Sequence, residues 1–118
     1  MRYTDSHEWV TLQGKLAKVG ISEYAQQELG DIVFIELPKV GQVVAAGEEV
    51  CVLESTKAAA DVYAPVSGKV HAVNEVAKKD PSEINRNAEA LWLFEIELSN
   101  PKEFDRLLTP AEYRKITS

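Results

Sequence analysis

One lysine lies among small residues between two apolar segments that are typical of β-strands. Residues 54–61 have the sequence ESTKAAAD, in which Lys57 precedes three alanines. This pattern predicts a hairpin whose tip leaves the Lys57 amine open on every side. A free lysine amine is protonated at neutral pH and is a poor nucleophile, so we expect an enzyme to acylate it. The carboxylates of Glu54 and Asp61 stand on either side, where such an enzyme would read them.

Length and charge exclude several classes of function. The chain has 118 residues, a net charge of −6 and 45% hydrophobic residues, which fits one globular domain. An acidic chain lacks the basic face that binds nucleic acid. No stretch approaches the roughly 18 apolar residues that span a membrane, and the first residues have no apolar signal segment. We therefore expect a cytoplasmic protein without nucleic-acid or membrane partners.

Alternating apolar residues and turn signals predict a mostly β fold with short helices. Short strands bounded by glycines lie on both sides of the Lys57 hairpin. They predict two interlocked antiparallel halves that together form a small flattened barrel or sandwich. Ser22 is a favourable N-cap residue for a helix over 24–29, and Gly30 is a favourable residue to end it, because glycine adopts a left-handed conformation easily. Gln13 and Gly14 predict a two-residue turn between the first strands. The predicted strands cover 8–12, 15–21, 32–37, 43–44, 49–53, 62–66, 69–73 and 91–98.

Three segments near the C-terminus have the pattern of a capping box with proline at the first helical position. They begin at Asp80, Asn100 and Thr109, and each has a glutamate three residues later. We predict one domain over 1–118, with a β core and inserted helix over 1–99 and C-terminal helices over 100–118. The dipeptide at 78–79 is interpreted as a solvated turn.

The remaining reactive residue types do not form a catalytic pattern. His7 and His71 have no ligand-like neighbours at useful spacing, which argues against a metal site. Cys51 is the single cysteine and lies on an apolar strand, so we expect a buried hydrophobe and no disulfide. The sequence has no phosphate-binding loop and no nucleophile–base arrangement. We therefore predict a protein that is not itself an enzyme.

Eight short segments, in this order and with this spacing, form a highly specific set, although no single one is decisive. They are YTDSHEWV at 3–10, GISEYAQQELGD at 20–31, FIELP at 34–38, VG at 40–41, ESTKAAAD at 54–61, PVSG at 65–68, LL at 107–108 and AEY at 111–113. Through this set the chain resembles, over nearly its whole length, the H-protein family of the glycine cleavage system. The resemblance implies a barrel-sandwich hybrid fold like that of lipoyl and biotinyl carriers, with a short helix in the N-terminal half and helices at the C-terminus.

The resemblance implies that Lys57 carries lipoate, attached by a lipoate ligase or lipoyltransferase. The arm would shuttle an aminomethyl group from a pyridoxal-phosphate glycine decarboxylase to an aminomethyltransferase, and dihydrolipoyl dehydrogenase would reoxidise it. In the family the loaded arm folds into a cleft, whose pocket positions correspond to Ser6, Glu8 and Asp61. The implied protein is a monomeric group carrier, in which the cofactor supplies the chemistry.

Residues 85–92 depart from the family pattern. Their sequence, NRNAEALW, replaces a glycine-rich loop and predicts a more helical segment. Two alternatives therefore stay open: an H-protein-like lipoyl carrier or relay that serves other lipoate-dependent enzymes, and an unmodified binding domain that keeps only the fold. A biotin carrier is disfavoured because Thr56 and Ala58, rather than two methionines, flank Lys57.

Overall fold

The structure, a computed structural model, describes residues 1–117 and consists of two antiparallel β-sheets with helices packed around them. The larger sheet has the strand order β1-β2-β3-β9-β8-β5, and the smaller has the order β4-β6-β7. This arrangement confirms the predicted mostly β class. The strands are β1 Arg2–Tyr3, β2 Glu8–Gln13, β3 Leu16–Ile21, β4 Ile32–Glu36, β5 Val43–Val44, β6 Glu49–Ser55, β7 Ala59–Tyr63, β8 Gly68–Val73 and β9 Phe94–Leu98.

Short helices connect and close the sheets. Asn74 caps an unpredicted helix by accepting a hydrogen bond from the Val76 amide at 3.1 Å. Both lysines at 78–79 are exposed as expected, but the expected turn is wrong: they lie in the last turn of this helix, where positive charge is favourable. None of the helices within residues 1–117 is long and apolar enough to cross a membrane. The helices are α1 Glu23–Leu29, α2 Glu75–Lys79, α3 Ser82–Asn87, α4 Lys102–Asp105 and α5 Pro110–Thr117.

The inner faces of the two sheets form one hydrophobic core. Val10, Val19, Ile35, Leu53 and Phe94 are almost fully buried there. In β8 burial alternates, with Gly68 and Val70 buried and Lys69 and His71 exposed, as the period of two requires. In β2 and β9 three consecutive residues are buried, because helices and connecting segments cover the outer face as well.

Cys51 lies in this core, as expected from its apolar strand. Burial, followed by the negative charges of Glu36 and Glu8, raises the pKa of the thiol to about 12. A thiol with this pKa is not a thiolate at neutral pH, so Cys51 has a packing role.

The local predictions succeed unevenly at turns and caps. Ser22 caps α1 by accepting from the Ala25 amide, and Gly30 ends it with a positive φ. The first hairpin turns at Gly14 and Lys15, one residue later than predicted, since Gly14 supplies the positive φ.

One of the three capping boxes is complete. The Thr109 amide donates to the Glu112 carboxylate at 2.9 Å, and the Glu112 amide donates to the Thr109 hydroxyl at 3.2 Å. The other two reciprocal boxes are wrong, because each glutamate has a better partner elsewhere. Glu103 accepts from the amide and hydroxyl of Ser67, and Glu83 pairs with Arg86.

Gly68, in β8, lies against the backbone of β9. A Cβ atom built on this glycine would lie 2.0 Å from the carbonyl oxygen of Glu97. That oxygen belongs to the central strand and cannot move without breaking the sheet. Only glycine therefore fits here.

We predict that Gly68→Ala lowers the free energy of unfolding by about 3 kcal/mol or more, because overpacking displaces a central strand. Gly14→Ala is the control: its added Cβ meets open space, and only the positive φ costs about 1 kcal/mol. Urea denaturation monitored by tryptophan fluorescence measures both. Equal losses in the two variants would contradict this account of Gly68.

Candidate functional site

Lys57 lies at the tip of the β6–β7 hairpin, and its side chain is exposed. The tip closes without glycine or asparagine because the Ser55 hydroxyl accepts hydrogen bonds from two amides. These are the amides of Lys57 at 3.2 Å and of Ala58 at 3.0 Å. Sequence reasoning missed this role of Ser55, although a serine before a tight turn is a recognised signal for it.

The tip is docked on the corner between α1 and β4. The Thr56 amide donates to the Asp31 carbonyl oxygen at 3.0 Å. A Cβ atom on Gly30 would lie 2.9 Å from Cε and 3.4 Å from Nζ of Lys57. The expectation that the lysine is open on every side is therefore wrong: one side rests against Gly30. Its ammonium group lies beside the C-terminal end of α1, where the helix dipole favours a cation.

The side chain of Asn85 stabilises this corner between α1 and β4 through three hydrogen bonds. Its Nδ2 donates to the Gly30 carbonyl oxygen at 2.7 Å and to Gln26 Oε1 at 2.9 Å. Its Oδ1 accepts from the Ile32 amide at 2.9 Å. One carboxamide thus joins the end of α1 to the start of β4, directly beneath the tip.

Residues 85–92, for which the sequence predicted a more helical segment, therefore form an organised support. It is helical through Asn87, the end of α3, as its composition predicted, and continues as a turn. The Ala88 carbonyl oxygen accepts from the Trp9 indole at 2.9 Å. The Glu89 carboxylate accepts from the Glu23 amide and the Tyr3 hydroxyl, both at 2.9 Å. The segment consequently holds both ends of α1.

A cleft of about 360 Å³ opens beside the hairpin, between α1, β7 and the segment before β2. Ser6, Glu8 and Asp61 all line it, so the structure brings these three predicted residues together. Glu54 does not line this cleft. Apolar and aromatic side chains provide much of the wall: Ile21, Tyr24, Ala25, Leu29, Leu53, Ala60 and Val62.

The two carboxylates of the cleft have different surroundings. Glu8 is 1% exposed. It accepts hydrogen bonds from the Thr4 hydroxyl, from the Ser6 hydroxyl at 2.6 Å and from the Tyr63 amide at 3.2 Å. Asp61 is exposed at the edge strand β7. Glu8 is therefore a fixed charge in the wall, and Asp61 is a solvent-facing charge at the rim.

His7 connects the cleft to the C-terminal helix. It adopts a φ of +75°, a left-handed conformation that is uncommon for a residue with a side chain. Its Nδ1 lies 2.7 Å from the Tyr113 hydroxyl, which lies 2.6 Å from the Ser22 hydroxyl. The Tyr113 hydroxyl is partly buried between these partners, and burial is the main cause that raises the pKa of Tyr113. Because His7 lies between Ser6 and Glu8 in the sequence, its contact with Tyr113 joins this wall of the cleft to α5.

The side chain of His7 contacts two tyrosines, whereas His71 lies on β8 with its Nε2 3.8 Å from a carboxylate oxygen of Glu95. His7 packs its ring against Tyr24, with 4.7 Å between the ring centroids. Within residues 1–117, no group of three or more His, Cys, Asp or Glu side chains is arranged to hold a metal ion.

Comparisons with known proteins match this architecture. The family model described as glycine cleavage H-protein matches residues 1–118. The glycine cleavage system H protein of Parvibaculum lavamentivorans is 49% identical over 96% of this chain and 91% of its own length. That of Thermotoga maritima is 48% identical over 97% and 93%. The crystal structure of a glycine cleavage system H protein from Mycobacterium marinum has a TM-score of 0.86, with 38% identity over 96% of this chain and 92% of that chain.

We predict that Asn85→Ala lowers the free energy of unfolding by about 2–3 kcal/mol, because the Ile32 amide and the Gly30 carbonyl lose their partner. Hydrogen exchange of the Ile32 and Thr56 amides should accelerate as the corner loosens. Asn87→Ala, on the same helix, removes one long and exposed contact and should change stability by less than about 0.5 kcal/mol. Equal effects of the two substitutions would refute the supporting role of Asn85.

Proposed function

This chain belongs to the glycine cleavage H-protein family, and we propose that Lys57 is the residue through which it carries lipoate. The protein is a non-catalytic lipoyl carrier of glycine cleavage, in agreement with the resemblance found in the sequence. The observation that supports Lys57 as the attachment residue is its position. Its amine is exposed, and hydrogen bonds to Ser55 and Asp31 hold the turn that bears it. An acylating enzyme can reach this amine, and the acylated side chain starts from a fixed place.

The cleft fits an arm that starts at Lys57. The two share α1, since Lys57 contacts Gly30 at its end and the cleft contains Tyr24 and Leu29 from its body. When bound, lipoate supplies the dithiol chemistry that takes up and releases a one-carbon amine fragment derived from glycine. Leu29, Leu53 and Val62 give that part of the cleft an apolar wall, which limits the contact of a bound arm with water.

The carboxylates give the cleft an affinity for a cationic amine. Glu8 cannot turn away, because three donors orient its carboxylate. A buried, oriented charge acts in a lower effective dielectric than a solvated one and attracts a cation more strongly. Asp61 adds a second negative charge at the rim, and Ser6 holds Glu8 in place. We propose these three residues as the resting site of the amine.

The identities of the partners extend the proposal. We propose transfer from a pyridoxal-phosphate glycine decarboxylase to an aminomethyltransferase, with dihydrolipoyl dehydrogenase reoxidising the arm. A lipoate ligase or lipoyltransferase attaches the cofactor. The family name supports partnership with other glycine cleavage components. The cytoplasmic location and the monomeric state stay predictions.

We predict that Lys57→Arg abolishes lipoylation, because a guanidinium group keeps the charge but does not form the lipoyl amide. Lys15→Arg is the matched control, since Lys15 is also exposed at a hairpin turn. Intact-mass spectrometry and peptide mapping after incubation with lipoate ligase, lipoate and ATP measure the modification. Modification of Lys57→Arg, or loss of it in Lys15→Arg, would contradict the assignment.

A further inference from the structure

The outward side of the smaller sheet forms a distinct surface beside the Lys57 tip, here called the tip-flanking face. Phe34 pairs with Glu54 across the strands, Glu36 pairs with Val52, and Glu54 pairs with Ala59. Paired residues share a face, and their neighbours Ile35 and Leu53 point into the core. The tip-flanking face comprises Val33, Phe34, Glu36, Val52, Glu54, Ala59 and Asp61, the last of which pairs with Val52 and also lines the rim of the cleft.

A β-bulge gives this face its apolar character. Ile32 pairs with Ser55 and Phe34 with Glu54, so Val33 is an extra residue in β4. Strict alternation would bury one of two consecutive residues, but Val33 is 57% exposed and Phe34 is 49% exposed. Bulges redirect side chains and are frequent beside functional sites. The bulge therefore presents two large apolar side chains to solvent where the regular strand would present one.

The apolar pair lies close to the tip. The tip contacts the chain at Gly30 and Asp31, and Val33 follows two residues later. Around the pair the face is acidic: it includes Glu36, Glu54 and Asp61, all exposed, and none of its seven residues is basic. A partner that covers it must offer an apolar recess surrounded by positive charge.

We propose that the tip-flanking face is the docking surface of the enzyme that acylates Lys57, with Phe34 as the main anchor and Val33 beside it. The inference rests on the proposed function of Lys57. Phe34, Glu36 and Glu54 do not line the cleft. The acylating enzyme can therefore bind these residues while the unmodified Lys57 tip lies in the active site of that enzyme. The partner is thus a lipoate-attaching enzyme with basic side chains opposite Glu36 and Glu54.

The test compares initial rates of lipoylation by a lipoate ligase over a range of carrier concentrations. Phe34→Thr keeps a strand-favouring side chain but removes the anchor, so kcat/KM should fall about 10-fold or more, mainly through KM. Val43→Thr is the matched control: Val43 is 76% exposed but lies in β5 of the other sheet. Its kcat/KM should stay within about twofold of wild type, as for contacts outside a hot spot.

The charges are tested separately. Added salt should slow lipoylation of the wild type, and the double variant Glu36→Gln, Glu54→Gln should be slower at low salt and less sensitive to salt. An unchanged salt dependence would overturn the basic character assigned to the partner.

Failure of this inference is distinguishable from failure of the proposed function. With excess ligase and long incubation, Phe34→Thr must still reach full modification at Lys57. Equal kcat/KM for Phe34→Thr, Val43→Thr and wild type would overturn the docking surface and leave Lys57 as the acceptor. An unmodified wild type beside a fully modified reference lipoyl domain would overturn both. Normal lipoylation of Phe34→Thr with impaired glycine decarboxylase exchange would assign the face to another partner and overturn the inference.

Discussion

The carboxamide of Asn85 is the interaction on which the site depends. A lysine that carries a cofactor has to be accessible to several enzymes, but the backbone that bears it must keep a fixed position. Asn85 meets both requirements. It forms hydrogen bonds with the Gly30 carbonyl, the Ile32 amide and Gln26 on the side of the corner that faces away from Lys57, so the lysine stays accessible. Each such bond contributes about 1 kcal/mol, and more is lost when a buried partner remains without one.

The same support sets the distance between the tip and the cleft. Glu89 binds the first turn of α1 and Asn85 binds its end, so the helix is held at both termini by one short segment. The end of α1 meets Lys57, and its body forms a wall of the cleft. In the proposed function, an arm attached to Lys57 starts at the same helix that lines the cleft proposed for its far end. His7 and Tyr113 fix the opposite wall through a chain of hydroxyl contacts.

Local rules predicted the features that depend on neighbours in sequence. Alternation located most strands, Ser22 capped α1, and the small residues around Lys57 marked the tip. Three strand assignments were wrong: the strand predicted over 62–66 is Ala59–Tyr63, that predicted over 91–98 begins only at Phe94, and the short strand Arg2–Tyr3 was missed. Features that depend on distant contacts could not be predicted: Asn85 meets Gly30 across 55 residues, and Glu103 leaves its capping box for Ser67. The bulge at Val33 follows from strand pairing and has no local signal. The helix after Asn74 was missed although its cap was visible in the sequence.

The central claim is that the arm of lipoyl-Lys57 rests in the cleft that contains Glu8 and Asp61. Its most direct test is the change in backbone amide NMR shifts when the lipoylated protein is loaded with glycine and decarboxylase. The account predicts shifts at cleft residues such as His7, Leu29 and Val62, and their loss in Asp61→Asn. Shifts confined to residues 56–58, at the attachment point, would contradict it.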